Sequence, residues 1–504
     1  MWAIPAILFG AFLRLLVMSY SPYAYWGSDS QSYFLFTERL LVDGDISLYE
    51  KRRYLYPILL LPITLLPGSM LGWLAWLQHG FGLLTLIPLA YIVRKTFVHW
   101  RWLVVPVTAF YAGMPMVIWY EHELLGENVF FAAVIWTCAG WVAWVSENDP
   151  ARKRRLWWYF FAALAALLLT KPAGRFILPG VLLGLVWVKA WHHLGWKHFL
   201  PLGVVTVLMS RMGGDGQGMY LLYASAFPLT QLETPLHAEY KAEIRDLVGD
   251  ARQRLHEFRM DEDRAWKRFL KNPGAQSERP LWQELGRSEK RMVQVYRELA
   301  LEGMKARPDL FALIALQRLL SSANANDFRA ERFETDYFSR KFERHYERFT
   351  TEKPERLRMI LGLSRREPLP PYAEIRARLE PHPNAPAAQW IERYVEIVEK
   401  YVRLENDTSD DRVPATGRDT PTALGWWLAA GILLSLTPYY FRRLGLWAII
   451  IGGYVFGVFL VGSANARFFG AAWPILTLLL AVPLDVLLLL VVRSLDGRRA
   501  IVAS

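Results

Sequence analysis

The chain has 504 residues, of which 53% are hydrophobic and 14% aromatic, and it carries a formal net charge of +11. Average soluble domains are about 45–50% apolar, and here the excess is concentrated in two blocks, residues 1–210 and 422–493, which excludes a single globular domain. The positive charge lies largely in short loops between apolar runs, where it sets membrane topology, so a nucleic-acid partner is not implied.

A spanning helix needs about 20 mostly apolar residues. Candidate segments are 2–20, 69–93, 102–119, 128–145, 157–170, 176–190, 198–210, 422–441, 444–462 and 470–492. The pattern predicts an all-α polytopic membrane protein of about ten transmembrane helices. Residues Trp2–Tyr20 read as a retained signal-anchor rather than a cleaved leader. The single cysteine, Cys138, excludes an intramolecular disulfide.

Lysine and arginine placement orients the chain. With the N-terminus inside, inner loops hold Arg94, Lys95 and Arg101, then Arg152 to Arg155, Lys189, Lys197, Arg442, Arg443 and the tail arginines. Outer loops hold Lys171, Arg175 and Arg467, and the first outer loop adds Arg39, Lys51, Arg52 and Arg53. Both termini are then cytoplasmic. Three domains follow. Residues 1–210 form an N-terminal membrane block whose first outer loop is 21–56. Residues 211–421 form a mostly helical extracytoplasmic insert, and 422–504 a C-terminal membrane block with a cytoplasmic tail. The insert's charges are mixed in sign, as on a solvated helical surface.

In the first outer loop, Ser30 to Leu41 place Tyr33, Phe34, Phe36, Leu40 and Leu41 largely on one side of a helix, with Gln31, Glu38 and Arg39 elsewhere. Gly44 suits its C-terminal stop. Such a helix would lie in the interface plane. Asp29, just before it, is either a helix cap or a catalytic carboxylate fixed at the membrane surface, and the two roles are compatible. Arg52, Arg53 and Tyr56 stand where the chain turns back into the bilayer at Pro57. Their guanidinium groups suit either a phosphate or plain interfacial snorkelling.

Glu121, His122 and Glu123 form a small acidic cluster, with Glu127 at the start of the next apolar run. The cluster reads as a solvated acidic turn or as a weak divalent-cation site, without any zinc spacing. Glu127 lies at a depth where an ionisable group faces a cavity or a partner. Two basic turns, Lys171 to Arg175 and Asn465 to Arg467, bring further cations to the same face. Each alone suits interfacial anchoring. Together they suggest an anionic lipid-linked substrate. No phosphate-binding glycine loop, nucleophile elbow or zincin pair is present.

The order of these pieces resembles the GT-C membrane glycosyltransferases, in particular the bacterial branch related to protein O-mannosyltransferases and the lipid A aminoarabinose transferase. The matching pieces are Arg14, Asp29 followed by Ser32-Tyr33, Arg53-Tyr54-Leu55-Tyr56-Pro57, and Glu127 before Asn128-Val129-Phe130. Leu169-Thr170-Lys171-Pro172-Ala173-Gly174 resembles a family turn that usually carries Arg in place of Lys171. Glu302-Gly303-Met304-Lys305-Ala306-Arg307-Pro308 and Ala466-Arg467-Phe468-Phe469-Gly470 resemble further family patterns. Many family members pair the first-loop Asp with a second acidic residue; here Ser28 and Ser30 flank it, which bears on metal dependence.

The resemblance implies inverting sugar transfer from a polyprenyl-phosphate donor to an acceptor hydroxyl, in a bacterial inner membrane. Asp29 would be the base, Arg53, Lys171 and Arg467 would sit near the leaving phosphate, and Glu127 would orient substrate or a basic neighbour. A divalent cation is possible without being required. The rival readings are a flippase for a lipid-linked anion, a membrane scaffold, and a polymerase or ligase using a diphosphate-linked glycan. A flippase would show matching inverted halves, and none is evident.

Overall fold

The computed structural model describes residues 3–27, 30–45, 55–192, 194–211, 233–239, 241–242, 289–309, 312, 346, 349–351, 354–364, 367–379, 386–401, 423–461 and 472–502. Asp29, Arg52, Arg53 and Arg467 lie outside the described residues.

The protein is an all-α polytopic membrane protein. Helices run in the order α1 (Ile4–Tyr20), α2 (Ser30–Asp43), α3 (Leu55–Thr64), α4 (Met70–Thr96), α5 (Val104–Ala112), α6 (Pro115–His122), α7 (Glu127–Ser146), α8 (Pro150–Thr170), α9 (Leu178–Trp187) and α10 (Leu200–Arg211). The insert contributes α11 (Glu289–Ala306), α12 (Pro354–Leu361), α13 (Tyr372–Leu379) and α14 (Pro386–Tyr401). Then come α15 (Ala423–Ser435), α16 (Leu446–Val461) and α17 (Trp473–Val502).

Each of the ten apolar segments forms helix over most of its described length. Three helices, α4, α7 and the Trp473–Ser494 part of α17, are long and apolar enough to cross a membrane, and the count rises to five if two bent pairs each make one crossing. One bent pair is the run expected as a single helix over 102–119. It breaks by 54° between Ala112 and Pro115, because Pro115 opens a new helix and Met114 takes an extended conformation before it. The break turns the 121–123 end inward.

Close approach of the helices depends on small residues. A Cβ on Gly140 of α7 would lie 2.8 Å from Phe160 Cα of α8, and the two helices interlock there through Trp141, Trp144, Trp157 and Phe160. Asp149 caps α8 by accepting from the Ala151 N–H at 3.0 Å, with Pro150 at its first position. Large apolar side chains stay exposed around the bundle, among them Leu8, Phe12, Trp76, Leu84, Leu183 and Leu433. A surface this apolar suits lipid rather than water.

Helix α2 forms where the sequence places it, and Gly44 ends it at φ +67°. Its polar face differs from the expectation. Glu38 is buried, because Arg356 of α12 donates to Glu38 Oε2, from Nε at 2.9 Å and also from Nη2. The insert thus docks on α2, and Ser69 Oγ donates to Ile360 O at 3.1 Å beside it.

Candidate functional site

The site is built where the C-terminal end of α1, the start of α2, α3, α4 and the α6–α7 turn meet. Tyr25 N–H donates to His122 O at 2.7 Å, and Leu124 N–H to Tyr25 O at 2.9 Å, so the stretch after α1 runs parallel to residues 122–124. Ser30 Oγ then accepts from the Gly27 N–H at 2.8 Å and donates to Leu124 O at 2.9 Å. Both flanks of positions 28 and 29 are therefore pinned to the α6–α7 turn. A Cβ on Gly27 would overlap Glu123 Oε1, so any larger residue there needs that carboxylate to shift.

The cluster at 121–123 is not a solvated turn. Glu121, His122 and Glu123 are all buried. Arg14 grips Glu121 with two bonds of 2.6 Å, Nε to Oε2 and Nη2 to Oε1, and its Nη1 donates to the carbonyls of Gly10 and Ala112 at 3.1 Å. Glu121 Oε2 also contacts His79 Nδ1 at 3.0 Å, and His79 Nε2 meets His122 Nδ1 at 2.9 Å. Glu123 Oε2 accepts from Trp119 Nε1 at 3.2 Å. Gln78 Nε2 donates to the carbonyls of both Glu121 and Glu123, at 3.0 and 2.9 Å. Glu121 and Glu123 are thus engaged by Arg14, His79 and Trp119, and His122 Nδ1 by His79. Among the described residues no three metal-ligating side chains are placed to hold a metal ion.

Tyr56 hydroxyl donates to Gln78 Oε1 at 2.9 Å, and its ring meets Tyr33 edge-on. It lies within electrostatic reach of Glu123 and Glu127. Glu127 is 1% exposed and pairs with Lys171 Nζ at 2.5 Å, while Lys171 also sits over the Phe130 ring. The pair sets two opposite charges against each other in a buried, apolar setting. Asn128 Nδ2 donates to Gln78 O at 3.1 Å, tying the start of α7 to α4. Arg175 stands apart from this pair, its guanidinium against the Phe176 ring at 5.0 Å. Of the residues singled out in the sequence, the structure brings Tyr56, Glu121, His122, Glu123, Glu127 and Lys171 into one connected neighbourhood.

Four participants were not singled out as site residues: Arg14, named above only as a piece of the resemblance, Gln78, His79 and Tyr394. Gln78 and His79 are adjacent polar residues inside an apolar run, a signal in itself for a buried role. Tyr394 of α14 stands beside the network, its buried hydroxyl within electrostatic reach of Arg14 and Glu121.

No family model matches the chain, and no curated protein matches it. Among solved structures, the crystal structure of ArnT from Cupriavidus metallidurans bound to undecaprenyl phosphate aligns over 95% of this chain and 77% of its own, at 14% identity and a TM-score of 0.30. A TM-score of 0.30 is too low to equate the two folds.

Proposed function

We propose that the chain is a GT-C-type membrane glycosyltransferase that moves a sugar from a polyprenyl-phosphate donor to an acceptor hydroxyl at the extracytoplasmic face. The single observation that carries this reading is the buried Glu127–Lys171 pair beside Tyr56 and Gln78. It supplies a fixed ammonium at the same end of the bundle as the pinned flanks of Asp29. The order of sequence motifs supplies the class.

In this reading Asp29 takes the proton of the acceptor hydroxyl. The oxygen attacks the anomeric carbon with inversion, the bond from that carbon to the phosphate oxygen breaks, and polyprenyl phosphate leaves. General-base help of this kind contributes about 10²–10⁴-fold. Lys171, Arg53 and Arg467 meet the charge that grows on the leaving phosphate, with Arg52, Arg175 and Tyr56 around the donor. An ammonium has three donors, so Lys171 can hold Glu127 and still address an anion. Glu127 then acts as a positioning residue for Lys171. The membrane is the bacterial inner membrane, the termini are cytoplasmic, and the insert faces outward.

The test compares wild type with Asp29→Asn at matched expression, in membranes supplied with a panel of labelled polyprenyl-phosphate sugars. One sugar should move in the wild type, and the variant should lose about 10²-fold or more. Near-normal transfer by folded Asp29→Asn would overturn the base assignment. No transfer of any sugar by folded wild type would overturn the donor class.

A further inference from the structure

The Arg14–Glu121–His79–His122 chain has no task in the reaction above, yet it is wholly buried. Two neutral imidazoles carry two N–H groups between them. Glu121, paired with the Arg14 guanidinium, acts as an acceptor. The contact between Glu121 Oε2 and His79 Nδ1 therefore needs a hydrogen on His79 Nδ1. In the neutral dyad His79 Nε2 is then an acceptor, and His122 Nδ1 must supply the hydrogen between the rings. Both hydrogens are now used. His122 Nε2 remains a bare lone pair, buried, and no group meets it in hydrogen-bond geometry. The carbonyls of Tyr23 and Ser21 lie near this ring.

The opposite pair of tautomers repairs the far end only by placing a bare His79 Nδ1 against the carboxylate. Each neutral arrangement lacks one hydrogen. A third proton on the dyad completes all the contacts together. We infer that Glu121, His79 and His122 form a binding site for one exchangeable proton, loaded and unloaded at His122 Nε2.

Two influences oppose loading: burial, and the Arg14 guanidinium on the far side of Glu121. The complete hydrogen-bond chain and the Glu121 carboxylate favour it. The other titratable groups facing the chain are Tyr25 from the segment after α1, Tyr111 from α5 and Tyr394 from α14. None of these phenols adds a carboxylate. The proton's position has a structural consequence. His122 O already holds the Tyr25 N–H at 2.7 Å. A proton at Nε2 adds a second tie, to the carbonyls before Tyr25. Loading thus anchors residues 21–27, the stretch that leads to positions 28 and 29. The inference does not depend on the transferase reading.

The test is nitrogen NMR of the full chain, labelled with ¹⁵N-histidine and held in lipid. His79→Asn and His122→Asn assign the two rings. The through-space signal between His79 Nε2 and His122 Nδ1, 2.9 Å apart, identifies them in the wild type should either variant fail to fold. Over roughly pH 8 to 4, which covers the ordinary imidazole range and extends below it, the dyad should take up one proton with a single shared midpoint. His79 Nδ1 should stay protonated throughout, and the change should be read at His122 Nε2. Uptake of no proton by the folded protein, uptake of two, or loss of the proton from His79 Nδ1 would each overturn the inference.

Discussion

Arg14 is the residue on which the buried network turns. It is 2% exposed and gives Glu121 its counter-charge, so its loss leaves a carboxylate in an apolar interior. Arg14→Met should cost about 3–5 kcal/mol, as breaking a buried pair usually does. The double variant Arg14→Met, Glu121→Met should regain part of that loss, because it removes both charges. Thermal melting of the purified protein in detergent measures both, and a double variant no more stable than the single one would show that the pair is not the origin of the cost. Much of this was hidden in the sequence for a physical reason. Glu121, His122 and Glu123 read as a loop because the run before them is apolar and unbroken in composition. The break after Ala112 and the grip of Arg14 become visible only when the chain is folded. Gln78 and His79 were hidden differently, since an apolar window averages out two polar neighbours. His79 stands about 13 Å along α4 from Met70, taking 1.5 Å per residue, and a polar group at that depth needs a partner from another helix.

Helices α2 and α12 show how an element can be read correctly for its boundaries and incompletely for its face. The apolar side of α2 and its stop at Gly44 follow from the spacing of residues. Glu38 looked like part of the solvated side, but its partner, Arg356, comes from 318 residues further along the chain. No local pattern reports such a pairing. The contact is also shaped by backbone. Gly362 sits at φ +72°, and a Cβ there would overlap Gly68 O. The dock therefore combines a buried ion pair with a glycine that no other residue replaces without strain. A double-variant cycle on Glu38→Leu and Arg356→Leu isolates the pair. Each single change should destabilise by about 3–5 kcal/mol, and the coupling energy should reach about 1–3 kcal/mol, the upper part of the range for residues in contact. Strict additivity of the two melting shifts would show that α12 docks through its apolar residues, Leu357 and Ile360, alone.

At the scale of the molecule, apolar runs announced the helices, and each run forms helix over most of its described length. They did not announce how many cross, because a break after Ala112 splits one run, and a break after Ser435 leaves Ala423–Ser435 and Pro438–Tyr454, drawn from two runs, as a second bent pair. The same charges that frame the runs also give an orientation, and it can be tested with little chemistry. Cys138 is the single cysteine and is fully buried, so the native chain offers almost no background to a bulky, membrane-impermeant thiol reagent. Asp43 ends α2, while Arg152 lies in the exposed first turn of α8, between α7 and α8. With the N-terminus inside, Asp43→Cys should be labelled in intact cells and Arg152→Cys only after the membrane is opened. Glu355→Cys on α12 should follow Asp43→Cys, since Arg356 joins α12 to α2 on the same side. The reverse pattern would place the Glu127–Lys171 pair in the cytoplasm, where a lipid-linked donor from the outer leaflet cannot reach it. Labelling of Asp43→Cys and Arg152→Cys from the same side would instead mean that α3 to α7 cross an even number of times, and the inside-positive count would fail for this block.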